Sequence, residues 1–393
     1  MIIKPPKLCL NRRGLLQGAA SIMGLSASGA NLAFAAGPEN RKLVVIILRG
    51  AMDGLNVVVP HYENRYYAKR PSIAIMPPGE PGGAIPLTDG FGLHPALPTL
   101  AGMFKKGQAV FMPAASAPYN ERSHFDGQDV LENGTESPLG TLDGWLNRAL
   151  GALNLSPGAV GIGQTVPLVL KGASNISTWA ASKIPEADPE TVEETLDLYA
   201  FDPVLHNALQ GAVDVGSLIG DLNELGSGYE QLARAAGKLL SADGGPGAAA
   251  LSLNGWDTHA DETSILAANL GNLDVALFGL REELGSQWAN TAVMIVTEFG
   301  RTLSENGTKG TDHGVGGVSF LLGGAVKGGT MVGDWPGLGP TNLFEGRDVY
   351  PANDLRSLFK GVLRDHWGVD LSALDTSVFP GSAGIDIKNN LIY

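Results

Sequence analysis

The chain has 393 residues, 44% of them hydrophobic, with 54 glycines, 24 prolines and a formal net charge of -13. That length can bury a large core, and so much glycine and proline demands turns and long loops rather than a helical bundle. The acidic balance excludes non-specific binding to nucleic acid or to anionic lipid, but not an anionic substrate, because a bound cation reverses the local field.

The first 35 residues read as an address. They hold Lys4, Lys7, Arg12 and Arg13 and no acid, so their removal leaves 23 basic residues against 40 acidic ones, a net of -17. Leu15 to Phe34 is mildly apolar and rich in small residues, and Ala33-Phe34-Ala35 fits a small-x-small cleavage site. A signal peptide over residues 1–35 and a mature start at Ala36 are expected. Asn11-Arg12-Arg13-Gly14-Leu15-Leu16 resembles a twin-arginine export signal. That resemblance implies the twin-arginine translocase as an export partner and a periplasmic or secreted destination. Beyond the signal, no apolar run is expected to be long enough to cross a bilayer. Cys9 is the only cysteine, so the mature chain has no disulfide, thiolate ligand or cysteine nucleophile.

The mature part should fold as one domain over residues 36–393. Lys42 to Arg49 (KLVVIILR) reads as a strand buried on both faces, followed by a Gly50–Gly54 turn and a second apolar run, Leu55 to Pro60. The Tyr62–Pro71 loop and an irregular Pro77–Gly92 excursion follow. Then come a short helix from Leu97 to Phe104 and a strand from Ala109 to Met112. A further helix opens near Ser123 and is closed by Gly134. Val160 to Ala181 is apolar and β-prone. Pro189 to Ser241 carries helical spacing and reads as a helical insertion or cap. Ala249–Leu253, Thr291–Thr297 and Val318–Leu322 are strands, while Leu266–Leu284 and Asp354–Trp367 are helices. Strands alternating with helices predict an α/β three-layer sandwich with a mostly parallel central sheet.

Open parallel sheets place their sites beyond the carboxyl ends of the strands, and here those ends run into polar clusters. Asp53 stands in a glycine turn, as a ligand or as an aspartate bonding its own turn. Asp257 and His259 are two residues apart, so both point one way in an extended segment; the alternative is Asp257 or Thr258 capping the next helix. Glu298 is a candidate ligand or base and Arg301 a candidate oxyanion partner, unless the two form a buried pair. Asp312 and His313 lie in a glycine-bracketed loop whose flexibility makes a packing histidine unneeded. Ser123 is a candidate nucleophile at a helix start, where free amides favour an anion, or simply the N-cap. Arg122, His124 and Arg301 are the candidate substrate contacts. The carboxylates and imidazoles of Asp53, Asp257, His259, Glu298, Asp312 and His313 suit a divalent metal such as zinc or manganese. His61, His94, His206 and His366 are read as structural.

With LRGAMDGLNVVVP, RSHFDGQDVLENGT, GWDTH, TEFGRT and GTDHG, the chain resembles a widespread bacterial family of exported proteins of unknown function within the alkaline phosphatase and sulfatase superfamily. The resemblance implies an alkaline-phosphatase-like fold. It implies metal ligation by Asp53, by Asp257 and His259, and by His313, and a nucleophile region at Asn120–His124. Two departures stand out. Glu298-Phe299 replaces an Asp-His pair, leaving one imidazole missing that His124 can supply. Asn120, near the nucleophile position, is not a competent nucleophile, and Ser123 is the nearest hydroxyl. The expected function is hydrolysis of a phosphate or sulfate ester; the alternative is a non-catalytic binding or assembly protein retaining the cleft. A tight cluster of Asp53, Glu298, His259 and His313 would mark the enzyme, and buried, paired side chains the rival.

Overall fold

The computed structural model describes residues 38–88, 90–155, 158–181, 187–219 and 228–393. The expected export signal, residues 1–35, lies outside these residues. The strands used below are β1 (Lys42–Arg49), β2 (Ala109–Ser116), β3 (Ala159–Ile162), β4 (Ser177–Trp179), β5 (Ala248–Asn254), β6 (Thr291–Thr297), β7 (Arg301–Glu305), β8 (Thr311–His313), β9 (Gly317–Leu322), β10 (Thr330–Met331), β11 (Leu343–Phe344), β12 (Asp348–Val349) and β13 (Asn353–Asp354); Val58–Pro60, Ile85–Pro86 and Phe91–Leu93 form a separate small sheet. The helices used below are α1 (Pro98–Lys105), α2 (His124–Asn133), α3 (Trp145–Ala152), α4 (Pro189–Leu198), α5 (Pro203–Ile219), α6 (Tyr229–Ser241), α7 (Glu262–Leu284) and α8 (Leu355–Trp367).

The central sheet runs β10-β2-β9-β6-β1-β5-β3-β4, with β13 also on β2. β1 lies parallel to both β5 and β6, and only β9 runs against its neighbours β2 and β6. Alternate residues of β1 feed two cores. Val44, Ile46 and Leu48 face α1, α6 and α7, whereas Leu43, Val45 and Ile47 face α3 and α8. This is the expected three-layer α/β sandwich. A smaller sheet, β8-β7-β12-β11, stands at the carboxyl ends of the main strands.

Asn64–Lys69 forms a short helix inside the expected Tyr62–Pro71 loop. The stretch Glu262–Asn290, which includes α7, is long and apolar enough to cross a membrane by length and composition. Its Leu266, Leu270, Leu273, Leu277, Leu280 and Leu284 are nonetheless buried at helical spacing against α6 and the sheet, as in a core helix. The described residues of 189–241 include the helices α4, α5 and α6, and α4 has no buried residue. Of the histidines read as structural, His94 and His366 are buried and pushed down to about 4 by burial.

Candidate metal centre

The site is assembled where β1, β5 and β6 end together. At Gly50, φ is +120°, and a Cβ there would stand 2.5 Å from the Asp257 backbone nitrogen. Only glycine lets the β1 turn press onto the segment after β5. Arg301 then ties these ends together. Its fully buried guanidinium donates from Nε to Ala51 O at 2.8 Å, from Nη1 to Thr311 O at 3.0 Å, and from Nη2 to Gly50 O at 2.8 Å and Trp256 O at 3.3 Å. Nη2 also bonds the Asp257 carboxylate. Burial alone would raise Asp257, but Arg301 holds it below the ordinary carboxylate range.

Three imidazoles converge around Asp257. One ligand atom each from His124, Asp257 and His313 lie within 4.8 Å of one another. His259 joins from the side, with Nε2 2.9 Å from His313 Nε2 and 3.0 Å from Asp257 Oδ1. The outer ring atoms fix the tautomers. His124 Nδ1 donates to Glu298 Oε1 at 2.8 Å, and His313 Nδ1 donates to the Arg122 carbonyl at 3.0 Å. Both rings therefore turn Nε2 inward, the pattern of imidazole ligands oriented from behind by a carboxylate or carbonyl. Glu298 is fully buried and also accepts from Gly50 N and Gln128 Nε2; the His124 bond, helped by these two, outweighs burial and keeps it ionised. The hydrogen bond to Glu298 raises His124. Burial and the neighbouring His124 lower His313, favouring its neutral, ligating form.

The cluster fits a divalent cation. His124 Nε2 is shielded from solvent with no hydrogen-bond partner, its nearest carboxylate oxygen being Asp257 Oδ2 at 3.4 Å. Two Nε2 atoms 2.9 Å apart need a proton or a cation between them. Beneath His124 lies the buried Phe299, stacked at 5.0 Å, which closes the floor of the site. His313 is braced by a second device. Asp348, fully buried on β12, accepts from Arg122 Nε at 2.9 Å and from Arg347 Nε at 2.7 Å. Arg122 presents its carbonyl to the His313 ring, and Arg347 bonds the His313 carbonyl.

A family model for a protein of unknown function (DUF1501) matches residues 40–377. The chain belongs to the DUF1501 family. No curated protein matches it by sequence. Among solved structures, this DUF1501 protein is similar to the C-terminal periplasmic domain of EcEptC from Escherichia coli in complex with Zn, with a TM-score of 0.39 and 11% identity over 76% of this chain and 74% of that one. It is similar to the 2-O GAG sulfatase BT1596, with a TM-score of 0.39 and 11% identity over 89% and 76%. The alkaline phosphatase of the Antarctic bacterium TAB5 gives a TM-score of 0.33 and 13% identity over 72% and 91%.

The DUF1501 site departs from the expected ligand set at several residues. Asp53 stands outside the cluster: the buried Arg70 grips both its oxygens, and the pair outweighs burial to keep its pKa low. Arg301, expected to meet a substrate anion, spends its donors on carbonyls and Asp257, and it does not pair with Glu298. Glu298 lies behind His124, not among the converging atoms. The Arg122 guanidinium is paired with Asp348 and Glu345, so only its carbonyl serves the site. His124, expected as a substrate contact, turns a ring nitrogen into the cluster. Asp312 flanks it, with Oδ1 3.4 Å from His259 Nδ1. Ser123 occupies the N-cap position of α2, but its hydroxyl makes no cap bond. Neither Asp257 nor Thr258 caps α7, whose N-cap is Asp261. The glycines around His313 serve close packing: a Cβ on Gly310 would stand 2.3 Å from the His259 backbone. Gln128, Phe299, Asp348 and Arg70 escaped sequence reasoning. The spacing of His124, Gln128 and Glu132 along one face of α2 was the available signal for the first.

Proposed function

We propose that this DUF1501 protein is an exported, metal-dependent hydrolase of phosphate or sulfate esters, its cation held by His124, Asp257, His259 and His313. The observation that carries the reading is the convergence of imidazole Nε2 atoms on the Asp257 carboxylate, with His124 Nε2 buried and unpartnered. Three imidazoles and one carboxylate favour zinc over manganese, which prefers a richer oxygen set. A bound ion supplies Lewis acidity toward an ester oxygen.

The chain's own residues supply the rest. Glu298 holds the proton on His124 Nδ1, and Arg301 fixes Asp257 from behind. Ser123 lies between Arg122, whose carbonyl bonds His313, and His124 itself. Its hydroxyl is not committed to capping, which leaves it available as a nucleophile. The free amides and dipole of α2 favour an anion at the same place. The twin-arginine-like start supports export by the twin-arginine translocase to the periplasm or beyond. The non-catalytic alternative draws on the buried pairing of Asp53 with Arg70, which removes an expected ligand.

The test is a panel of phosphate and sulfate mono- and diesters assayed with zinc-loaded protein, its chelated form and Ser123→Ala. Zinc-dependent turnover lost in Ser123→Ala at unchanged Tm is expected, since no cap bond is broken; loss of a working N-cap would cost about 1 kcal/mol. Turnover of no ester by a protein that binds zinc would favour the non-catalytic reading.

A further inference from the structure

The acidity of this chain is concentrated in one place. Residues 184–233 contain 11 acidic residues and no lysine or arginine. Outside this segment the expected mature chain, 36–393, holds 23 basic against 29 acidic residues, so the segment carries most of its net charge of -17. The described part of this segment is a well-built helical hairpin. Asp188 caps α4 through Thr191 N at 2.9 Å, and Asp202 caps α5 through Val204 N at 3.1 Å and Leu205 N at 3.2 Å. His206 Nδ1 lies 3.2 Å from the Leu196 carbonyl and links the two helices. Val215 and Ile219 anchor the far end of α5 in the core, and Lys238 on α6 donates to the Ile219 carbonyl at 2.7 Å.

The near end of the hairpin is apolar and uncovered. Leu198 is 76% exposed, Phe201 97%, Val204 49% and Leu205 41%. Around them stand Glu190, Glu193, Glu194, Asp197 and Asp202. Single exposed apolar residues are ordinary, but four grouped at a capped turn and rimmed by one sign of charge mark a recognition surface. Helices that bind grooves present apolar anchors in this way, and the rim charge selects the partner.

We propose that the α4–α5 hairpin is a docking arm for a basic, amphipathic helical segment of a partner protein, with Phe201 and Leu198 as the anchors. Charge complementarity decides the occupant. An anionic bilayer would repel the acidic rim. A second copy offers the same acidic arm and an otherwise net acidic chain, so it lacks the cationic counterpart.

The full mature chain can be titrated calorimetrically with an amphipathic helical peptide of leucine and lysine, and with a control in which serine replaces leucine at unchanged charge. Binding to the leucine peptide that weakens with salt, at least about tenfold tighter than to the control, is expected. Phe201→Ser/Leu198→Ser and, separately, Glu193→Lys/Glu194→Lys should each weaken it by about tenfold or more. Both pairs lie on the surface, so folding should be preserved. Failure to bind the leucine peptide, equal affinity for both peptides, or unchanged binding by the Phe201→Ser/Leu198→Ser chain would overturn the proposal. So would binding to phosphatidylglycerol vesicles, or self-association in sedimentation that this double substitution abolishes. None of these readouts involves the metal centre.

Discussion

Replacing Arg301 with methionine separates a structural tie from a substrate contact. The change removes one donor from each of the carbonyls of Gly50, Ala51, Trp256 and Thr311. At about 1 kcal/mol for each buried carbonyl left short of a donor, the loss is about 4 kcal/mol. Asp257 is 44% exposed, so water replaces much of its lost partner and adds little to that figure. For about 350 folded residues with about 2 cal/mol/K of unfolding entropy each, Tm should fall by about 5 °C. Arg301→Lys, whose ammonium offers three donors from a single nitrogen, should recover part of the loss. Scanning calorimetry on the metal-free protein gives the answer without reference to turnover. A methionine variant that melts within about 1 °C of the parent yet loses ester hydrolysis would refute the structural role and put the guanidinium on the substrate.

Burial and the adjacent Asp53 carboxylate raise Glu262, so its neutral form is the one that folding favours. The stabilisation is complete below the ordinary glutamate value of about 4.3 and is lost as pH rises toward the higher folded value. Glu262→Gln should therefore flatten the decline of Tm across that window, and an unchanged slope would exclude Glu262 as its source. Asp348→Ala releases both arginines that brace His313 and should weaken zinc binding by about tenfold or more, with Asp348→Asn intermediate; equal affinity in all three proteins would make the brace irrelevant. Arg12→Lys/Arg13→Lys should leave uncleaved precursor in the cytoplasm, and normal processing would remove the twin-arginine assignment.

The sheet was legible because β1 and β6 are apolar runs with no alternation, which only a strand covered on both faces needs. The polar clusters at their ends were legible for the same reason: a strand end is where side chains can meet from distant segments. The proximity of Asp257, His259 and His313 could be anticipated that way. Asp53 misled because an aspartate in a glycine turn looks the same whether it meets an ion or an arginine. Its partner, Arg70, is the C-cap of the short Asn64–Lys69 helix, in a stretch whose sequence reads as a loop. Glu298 lies behind His124, and His124 points into the cluster, a distinction that sequence spacing cannot make. Arg301 bonds mainly to backbone carbonyls, which every sequence supplies and none advertises. The hydropathy of α7 suggests a membrane span until its leucines are seen against α6.

Zinc K-edge X-ray absorption on the stoichiometrically loaded mature protein addresses the metal centre directly. Nitrogen and oxygen donors at about 2.0–2.1 Å, with outer-shell scattering from about three imidazoles, are expected. His124→Ala and His313→Ala should each remove one ring from that signal. Absence of a stoichiometric ion, or an imidazole signal unchanged in both variants, would contradict the centre at His124, Asp257, His259 and His313.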